Sequence, residues 1–417
     1  MSVKVLLIGN GAREHAIAKK VVENGGSLYS FMSRENPGIA DLSKKFSIGN
    51  LTRFDMLKKY RKVDFAIVGP ENPLSSGITN YLEDKLKIPT CGPRKEVAKI
   101  ESSKIFTRYL IDAYDIPGNV PYTICRSIED LEDAIQEFGL EIVIKPDGLT
   151  GGKGVRVHGD HFTCFKGAKN YAKQLLTQDN EFLVEEKIKG KEFSLQVFTD
   201  GKTIIPMPLV RDYKRAYDED KGPNTGSMGS YSLPTHDLPF LKKKDIRTAL
   251  DILQKTVTAL KKETGIEYRG ILYGQFMKTN GKIHVIEFNV RFGDPEAINV
   301  LKLLESDFNE IAYQIINSDL KKASFANLAT VCTYLVPKGY PVNPIENKTI
   351  EVDPSITSDL YYASVYRDKQ DIKTTSSRAI ALIETGLDLE EAKQKLNGSI
   401  SKIKGELFYR NDIGVLL

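Results

Sequence analysis

Between two strand-like stretches the chain runs Lys145-Pro146-Asp147-Gly148-Leu149-Thr150-Gly151-Gly152-Lys153-Gly154-Val155, with four glycines in seven positions. No packed helix or strand gains from that density of glycine, so the segment is a loop that something approaches closely. Backbone amides in such a loop suit a polyphosphate. Lys145 ends the preceding strand and Lys153 lies in the loop, so both can neutralise phosphate oxygens. The segment is not a P-loop, because that motif leads into a helix and a strand is expected here.

The first hundred residues alternate strands and helices. Val3 to Ile8 reads as a buried strand and Gly9-Asn10-Gly11 as a tight turn. A helix over about Ala12 to Asn24 sets Ala12, Ala16, Ile17 and Val21 on one side and stops at Gly25-Gly26. Strands are expected near Leu28 to Met32 and at Phe65 to Val68, the latter ending in Gly69-Pro70-Glu71-Asn72-Pro73. Such repetition implies a mostly parallel sheet with helices on both faces and ligands beyond the carboxyl ends of the strands. The first turn lacks the third glycine of a dinucleotide fingerprint, since Glu14 stands there, and no acidic residue clearly ends strand two. Its amides, at a helix N-terminus, suit a phosphate or another anion; a plain strand-to-helix turn is the simpler alternative.

From about Glu101 the pattern changes. A helix is expected over Glu101 to Tyr114, then a compact unit at about 121–186: strand, helix (Ile128 to Phe138), strand (Glu141 to Lys145), the glycine loop, strand, helix and strand (Glu181 to Glu185). An α+β region follows, with helices within 240–264 and 296–318 around strands at Gly270 to Met277 and Lys282 to Asn289. The tail from about 327 is again α+β.

Three further segments carry chemistry. In Val184 to Ser194 a strand end with free backbone groups fits an adenine edge and Glu192 fits ribose hydroxyls, although a solvated charge run explains it as well. In His284 to Glu296, strand alternation puts Glu287 and Asn289 on one face, with Arg291 sharing it, and Ile286 and Phe288 on the other. Such an oxygen pair suits Mg²⁺, which takes few protein ligands besides phosphate and water. Arg211 to Tyr231 is a long polar, glycine-rich loop, and its Tyr, Met and Pro content favours an ordered, ligand-facing loop. There is no defensible Ser-His-Asp or Cys-His arrangement.

Composition sets the remaining bounds. The 59 Lys and Arg against 55 Asp and Glu leave +4, too little to argue for a nucleic-acid or membrane surface. Four dispersed cysteines without a CxxC pair fit a reducing cytosol better than a disulfide framework or zinc site. Neither a signal peptide nor a membrane span is expected.

Together the segments GNGAREHA (9–16), VGPENPL (68–74), KPDGLTGGKGV (145–155), EEKIKGKEFS (185–194), DYKRAYDEDKGPNTGSMGSY (212–231), EFNVRFGDPE (287–296), GYP (339–341) and YRNDIG (409–414) closely resemble the ATP-grasp superfamily. Within it they resemble the phosphoribosylamine–glycine ligase family, in its order and over nearly the whole chain. The resemblance implies α/β and α+β architecture: an N-terminal parallel-sheet domain (1–100), a central ATP-grasp domain (101–120 and 187–326), an inserted lid over ATP (121–186) and a C-terminal α+β domain (327–417). It also implies a cytoplasmic monomer acting on small molecules. The alternative is another ATP-grasp carboxylate–amine ligase of purine synthesis.

By the same resemblance, Lys104 and Lys145 contact ATP phosphates, and the loop with Gly148, Gly151, Gly152, Lys153 and Gly154 covers them. Glu185, Glu186 and Ile188 line the adenine site, Glu192 holds the ribose, and Glu287 with Asn289 binds Mg²⁺ or Mn²⁺. Gln275 stands near where many ATP-grasp enzymes carry a second carboxylate. Arg291 is a candidate for the glycine carboxylate, the acyl phosphate or a transferring phosphoryl oxygen. Asp212 and Asp294 are candidates for amino groups of glycine or 5-phosphoribosylamine. Glu71, beside Asn72 and Pro73, is assigned to ribose hydroxyls, and Gly9, Asn10 and Gly11 to the 5′-phosphate. Lys214, Asn224, Thr225 and Gly226 are further substrate contacts.

Overall fold

The structure, a computed structural model, describes residues 2–151, 154–177 and 181–415. Five parallel strands open the chain, in the spatial order Lys45–Ile48, Ser27–Met32, Lys4–Ile8, Phe65–Val68, Thr90–Cys91. Val5, Leu6, Leu7 and Ile8 are all fully buried, as a central parallel strand covered on both faces requires. Each such side chain contributes about 1.5–3 kcal/mol by leaving water. The helix Ala12–Glu23 buries Ala12, Ala16, Ile17 and Val21 against this sheet and gives way to Gly25 at a positive φ of 79°. The edge strand Lys45–Ile48 escapes sequence reading because it is half polar and leaves Phe46 and Ile48 exposed.

The helix expected over Glu101 to Tyr114 is instead two helices, Lys95–Ser102 and Lys104–Ala113. Ser103 breaks them: its backbone is extended and its hydroxyl accepts the Phe106 N–H at 3.1 Å, as an N-cap does. The break sets Lys104 at the first position of the second helix.

The central sheet is antiparallel, in the order Ile204–Pro206, Lys191–Thr199, Gly270–Thr279, Lys282–Asn289. The long helix Lys243–Thr264 packs on it through Ile252, Leu253, Val257 and Leu260. Its last pair is bulged: Gln275 faces Glu287 while Phe276 faces Val285, so Ile286 is one residue extra.

Residues 121–186 carry a smaller sheet, Tyr122–Cys125, Phe182–Glu186, Ile142–Pro146, Arg156–Val157, with the helices Ile128–Phe138 and Phe165–Leu176. Cys125, Leu131, Ile142, Ile144, Phe182 and Val184 form a core of their own, separate from the one shared by the rest of the chain. The strand expected after the glycine loop is only the two residues Arg156–Val157. In the C-terminal part, Ala329–Pro337 pairs with Gly229–Ser232 on one side and Ile380–Gly386 on the other, which ties the end of the long polar loop to the C-terminal sheet.

Candidate active site

One cavity lies where these parts meet. It gathers Lys104, Lys145, Gly148, Gly151, Glu185, Glu71, Asp212, Lys214, Thr225, Gly226, Glu287, Asn289, Arg291 and Asp294. A second, larger cavity shares Lys145, Glu185, Asp212 and Lys214 with the first. It adds Glu186, Ile188, Glu192 and Asn224, with apolar walls from Val120, Val143, Val157 and Met277. The first N-terminal turn does not join them. Asn10, Gly11, Asn72 and Pro73 line a separate depression, and Gly9 lines none of the three. Gly154 lines neither large cavity. Gly152 and Lys153 lie outside the described residues.

The glycine loop is anchored at its start. Asp147 accepts from the Ser103 hydroxyl at 2.9 Å and the Ile105 N–H at 3.2 Å, and Lys104 Nζ donates to Gly148 O at 2.7 Å. Burial lowers the Lys104 pKa, against the pull of Glu287 and Asp147. Lys145 Nζ lies 2.6 Å from Glu185 Oε2, and Arg108 Nε lies 2.8 Å from Glu185 Oε1. Burial pushes the Glu185 carboxyl up, but the two cations outweigh it and the pKa is lowered.

Glu185, expected in the adenine site, lines the second cavity with its polar groups engaged within the fold. Its side chain is a counter-ion between two cations, and its backbone pairs with Tyr122 on one side and Val143 on the other. Glu186 N–H is likewise engaged, with Pro121 O at 3.0 Å, and Lys187 N–H with Glu141 O at 2.8 Å. Among the described residues the Ile188 N–H has no acceptor, so the free backbone edge begins there. Glu192 Oε2 takes Lys214 Nζ at 3.1 Å and Gln275 Nε2 at 3.0 Å.

Glu71, expected at ribose hydroxyls, lines the main cavity and is paired there. Its Oε2 lies 3.2 Å from Arg291 Nε and 3.9 Å from Arg13, so it is a counter-ion before it is a hydroxyl acceptor. Burial raises its pKa, yet the two arginines hold it down at about 2. Arg291 Nη2 meets Glu101 Oε1 at 2.8 Å, and burial brings Glu101 up to about 7 despite that arginine. Two carboxylates thus aim Arg291 into the cavity. Asp294 is braced in the same way: the Tyr334 hydroxyl bonds one oxygen and Arg378 Nη2 the other at 2.7 Å. Arg378 Nη1 also donates to the Gly226 and Ser227 carbonyls, fastening the long polar loop to the Asp294 turn.

Of the amides expected to receive a phosphate at Gly9 to Gly11, the two glycine amides are engaged within the fold. Gly9 N–H donates to Phe31 O at 3.0 Å and Gly11 N–H to Glu14 Oε2 at 2.6 Å.

The metal expectation rests on donor chemistry. Glu287 and Asn289 both line the main cavity, and Asn289 Oδ1 accepts Arg291 Nη2 at 3.0 Å, which fixes its amide. A carboxylate and an amide oxygen fit one Mg²⁺ completed by water and phosphate oxygens. Gln275, opposite Glu287, is tied by its oxygen to the Tyr273 hydroxyl at 2.6 Å and by its nitrogen to Glu192, so it orients side chains and brings no charge. Among the described residues no group of three or more His, Cys, Asp or Glu is placed to hold a metal.

Sequence reasoning missed Glu101, Arg108, Tyr273, Glu296 and Arg378. Arg108 left a usable signal: it is in phase with Ile111 on a buried helix face, where an arginine demands a partner. Glu296 ends the EFNVRFGDPE segment, while Glu101 and Arg378 left no signal because their partners are far off in the chain.

Comparison with known proteins agrees along the whole chain. The phosphoribosylglycinamide synthetase models match residues 3–101 (N domain), 102–297 (ATP-grasp A domain) and 330–416 (C domain). The phosphoribosylamine–glycine ligase of Pyrococcus furiosus is 44% identical over 99% of this chain and 94% of its own length. That of Methanothermobacter thermautotrophicus is 43% identical over 99% and 96%. Among solved structures, phosphoribosylamine–glycine ligase from Thermotoga maritima superposes with a TM-score of 0.83 at 26% identity, over 98% of this chain and 100% of that one. A biotin carboxylase domain from Hydrogenobacter thermophilus, solved with MgADP and bicarbonate, shares the fold with a TM-score of 0.72 at 15% identity, over 98% and 91%.

Proposed function

The chain belongs to the phosphoribosylglycinamide synthetase family, and on that premise we propose how its residues perform an ATP-dependent ligation. It is a carbon–nitrogen ligase of purine biosynthesis: ATP, glycine and 5-phosphoribosylamine give ADP, phosphate and glycinamide ribonucleotide. The observation that carries this reading is the pair of continuous cavities. One has apolar walls and ends at the free edge near Ile188; the other brings Lys104, Lys145, Glu287, Asn289 and Arg291 together.

A carboxylate is a poor acyl donor because its leaving group is oxide. Transfer of the γ-phosphoryl group to a glycine carboxylate oxygen gives glycyl phosphate and ADP. The amine of phosphoribosylamine then attacks that carbonyl, the C–O bond to phosphate breaks, and the amine loses a proton. No protein nucleophile is needed, so the protein's contribution is positioning and electrostatics.

The adenine lies in the apolar cavity against Ile188, with the ribose near Glu192 Oε1. Lys145 and Lys104 meet the phosphates, and the loop from Gly148 covers them. Arg291, aimed by Glu71 and Glu101, takes the glycine carboxylate. Glu287 and Asn289 would hold Mg²⁺ or Mn²⁺, which would neutralise phosphate charge when bound. The unit with its own core, 121–186, acts as the lid, since an acyl phosphate survives only where water is excluded. Among the described residues no helix is long and apolar enough to cross a membrane.

The test is ADP release with ATP, Mg²⁺ and phosphoribosylamine generated in situ, with glycine present or omitted. Release that depends on glycine, with glycinamide ribonucleotide found by mass spectrometry, is the expected result. ADP release indifferent to glycine overturns the assignment.

A further inference from the structure

Three carboxylates in the main cavity lack a cationic partner among the described residues: Glu287, Asp212 and Glu296. The others, Glu71, Glu101, Glu185 and Asp294, are each in an ion pair. Glu287 is assigned to the metal. Asp212 and Glu296 make no ion pair of their own: Lys214, in the same cavity, is bound to Glu192 at 3.1 Å, and although its charge favours both carboxylates, burial still raises both pKa values. Glu296 is only 3% exposed, and charge at that depth is costly unless a cation arrives.

We propose that Glu296, with Asp212, seats the ammonium group of glycine and so selects an amino acid over other small carboxylates. This rests on the ligase reading and names a residue for it. Glycine is activated at its carboxylate, and its own nitrogen takes no part in the ligation. A free glycine amine beside a glycyl phosphate is nonetheless a competing nucleophile. Holding it as an ammonium between carboxylates gives it a counter-charge and removes its lone pair. The two ends of glycine are about 3 Å apart, so the ammonium seat belongs next to Arg291. Glu296 and Arg291 line the same cavity, with Gly293 between them in the chain.

The local geometry holds Glu296 for this role. Its Oε1 is 2.9 Å from the Tyr273 hydroxyl and 3.4 Å from the Ser194 hydroxyl. Its Oε2 accepts no hydrogen bond from another residue among those described. A Cβ at Gly293 would come within 2.4 Å of that oxygen, so a side chain there would crowd it. The Tyr273 proton is contested, because its oxygen is also 2.6 Å from Gln275 Oε1. One hydroxyl proton cannot fill both contacts. In the free enzyme the second is filled when Glu296 keeps its own proton, which burial and the Asp212 charge favour, raising it to about 7. The amine of phosphoribosylamine is a poor occupant, since it must be neutral to attack and paired carboxylates would keep it protonated.

The test uses Glu296→Gln in the whole enzyme, with Asp212→Asn as the second variant. The Michaelis constant for glycine rises by about 10- to 100-fold, the scale of one lost charge-assisted bond. Those for ATP and phosphoribosylamine stay within about twofold. The preference for glycine over acetate in ADP release narrows in parallel, which a merely structural role would not produce. On the unmodified enzyme, acetate competes with glycine only at concentrations higher by about 10-fold or more, a measurement that needs no variant to fold. An unchanged glycine constant in both variants, an equal loss toward phosphoribosylamine, or acetate competing as well as glycine overturns the seat. If the unmodified enzyme releases ADP without regard to glycine, the ligase reading fails instead.

Discussion

The chain has two glycine-rich turns, each after a buried strand, and they use their backbones in opposite ways. At Gly9 to Gly11 the two glycine amides turn inward, one to Phe31 O and one to the Glu14 carboxylate. At Gly148 to Gly151 no backbone N–H donates to another group among the described residues, and the loop is held through Asp147 and the Gly148 carbonyl. Both turns need glycine for positive φ, at 119° for Gly9 and at 94° and 58° for Gly148 and Gly151. What separates them is a carboxylate three residues downstream. Glu14 occupies the helix N-terminus with the protein's own anion, where a ligand's phosphate could otherwise bind. The neighbouring side chains then reach outward: Arg13 Nη1 donates to Phe292 O at 3.0 Å, and His15 Nδ1 accepts the Tyr362 N–H at 2.9 Å. The first turn is a junction of three domains, while the second is left open to a ligand.

The sharpest test of this contrast is a matched pair of alanines. At Gly9 a Cβ would fall 2.6 Å from Glu14 Cγ and 2.8 Å from Pro70 Cδ, at a φ that already disfavours a side chain. Gly9→Ala therefore costs about 3–5 kcal/mol of stability, read by urea denaturation, and leaves the ATP constant of the folded enzyme unchanged. A melt within about 1 kcal/mol of the parent would mean that the turn is slack.

A smaller effect is expected from His15, which sits edge-on to Tyr361 and stacks on Tyr362. Burial, then the charge of Lys19, lowers its pKa to about 3 from the ordinary 6.5. The folded protein keeps it neutral while the unfolded chain takes up a proton, so stability falls as pH drops from 6.5 toward 3. About 2 kcal/mol is lost between pH 7 and pH 5. His15→Gln, whose amide oxygen can still accept from Tyr362, should show a shallower loss by the same amount. Equal slopes for both proteins would remove His15 from the junction.

The smallest effect belongs to the open loop. A Cβ at Gly148 meets nothing within 4 Å, so Gly148→Ala suffers only from its positive φ. Stability changes by about 1 kcal/mol, whereas the Michaelis constant for ATP rises by about 10-fold because the amides no longer lie at the phosphates. An unchanged constant would place the phosphates elsewhere.

Much of this organisation is legible in the sequence because it depends on short-range pattern. The run from Val5 to Ile8 and the helix Ile128–Phe138 follow from local periodicity, whereas the cavity that holds Glu287, Asn289 and Arg291 also takes in Ile286 and Phe288, because the strand is bulged at Ile286 and ends at Asn289. What stays hidden is of two kinds. Ser103 ends one helix and starts another through one hydroxyl, a local competition that apolar periodicity does not register. The ionic partners of Arg291, Glu185 and Asp294 come from residues that only the folded chain brings close: Glu71 and Glu101, Arg108, and Arg378. A motif names a charged side chain but not the counter-charge that fixes its job. For that reason the sequence shows Glu71 and Asp294 as charged groups of the site but hides the arginines that brace each of them.

The separate core of residues 121–186 has a consequence for how the molecule comes apart. Arg108, on the body, joins Glu185, on that unit, and also holds the Val285 and Ile286 carbonyls at 3.0 and 3.3 Å. Apolar packing inside either core is not disturbed when this latch opens. The unit can therefore melt as a cooperative segment of its own while the body stays folded. Because nucleotide would bridge the two, its binding raises the cost of that local melting by mass action. The protein's susceptibility to proteolytic nicking thus becomes a gauge of nucleotide occupancy.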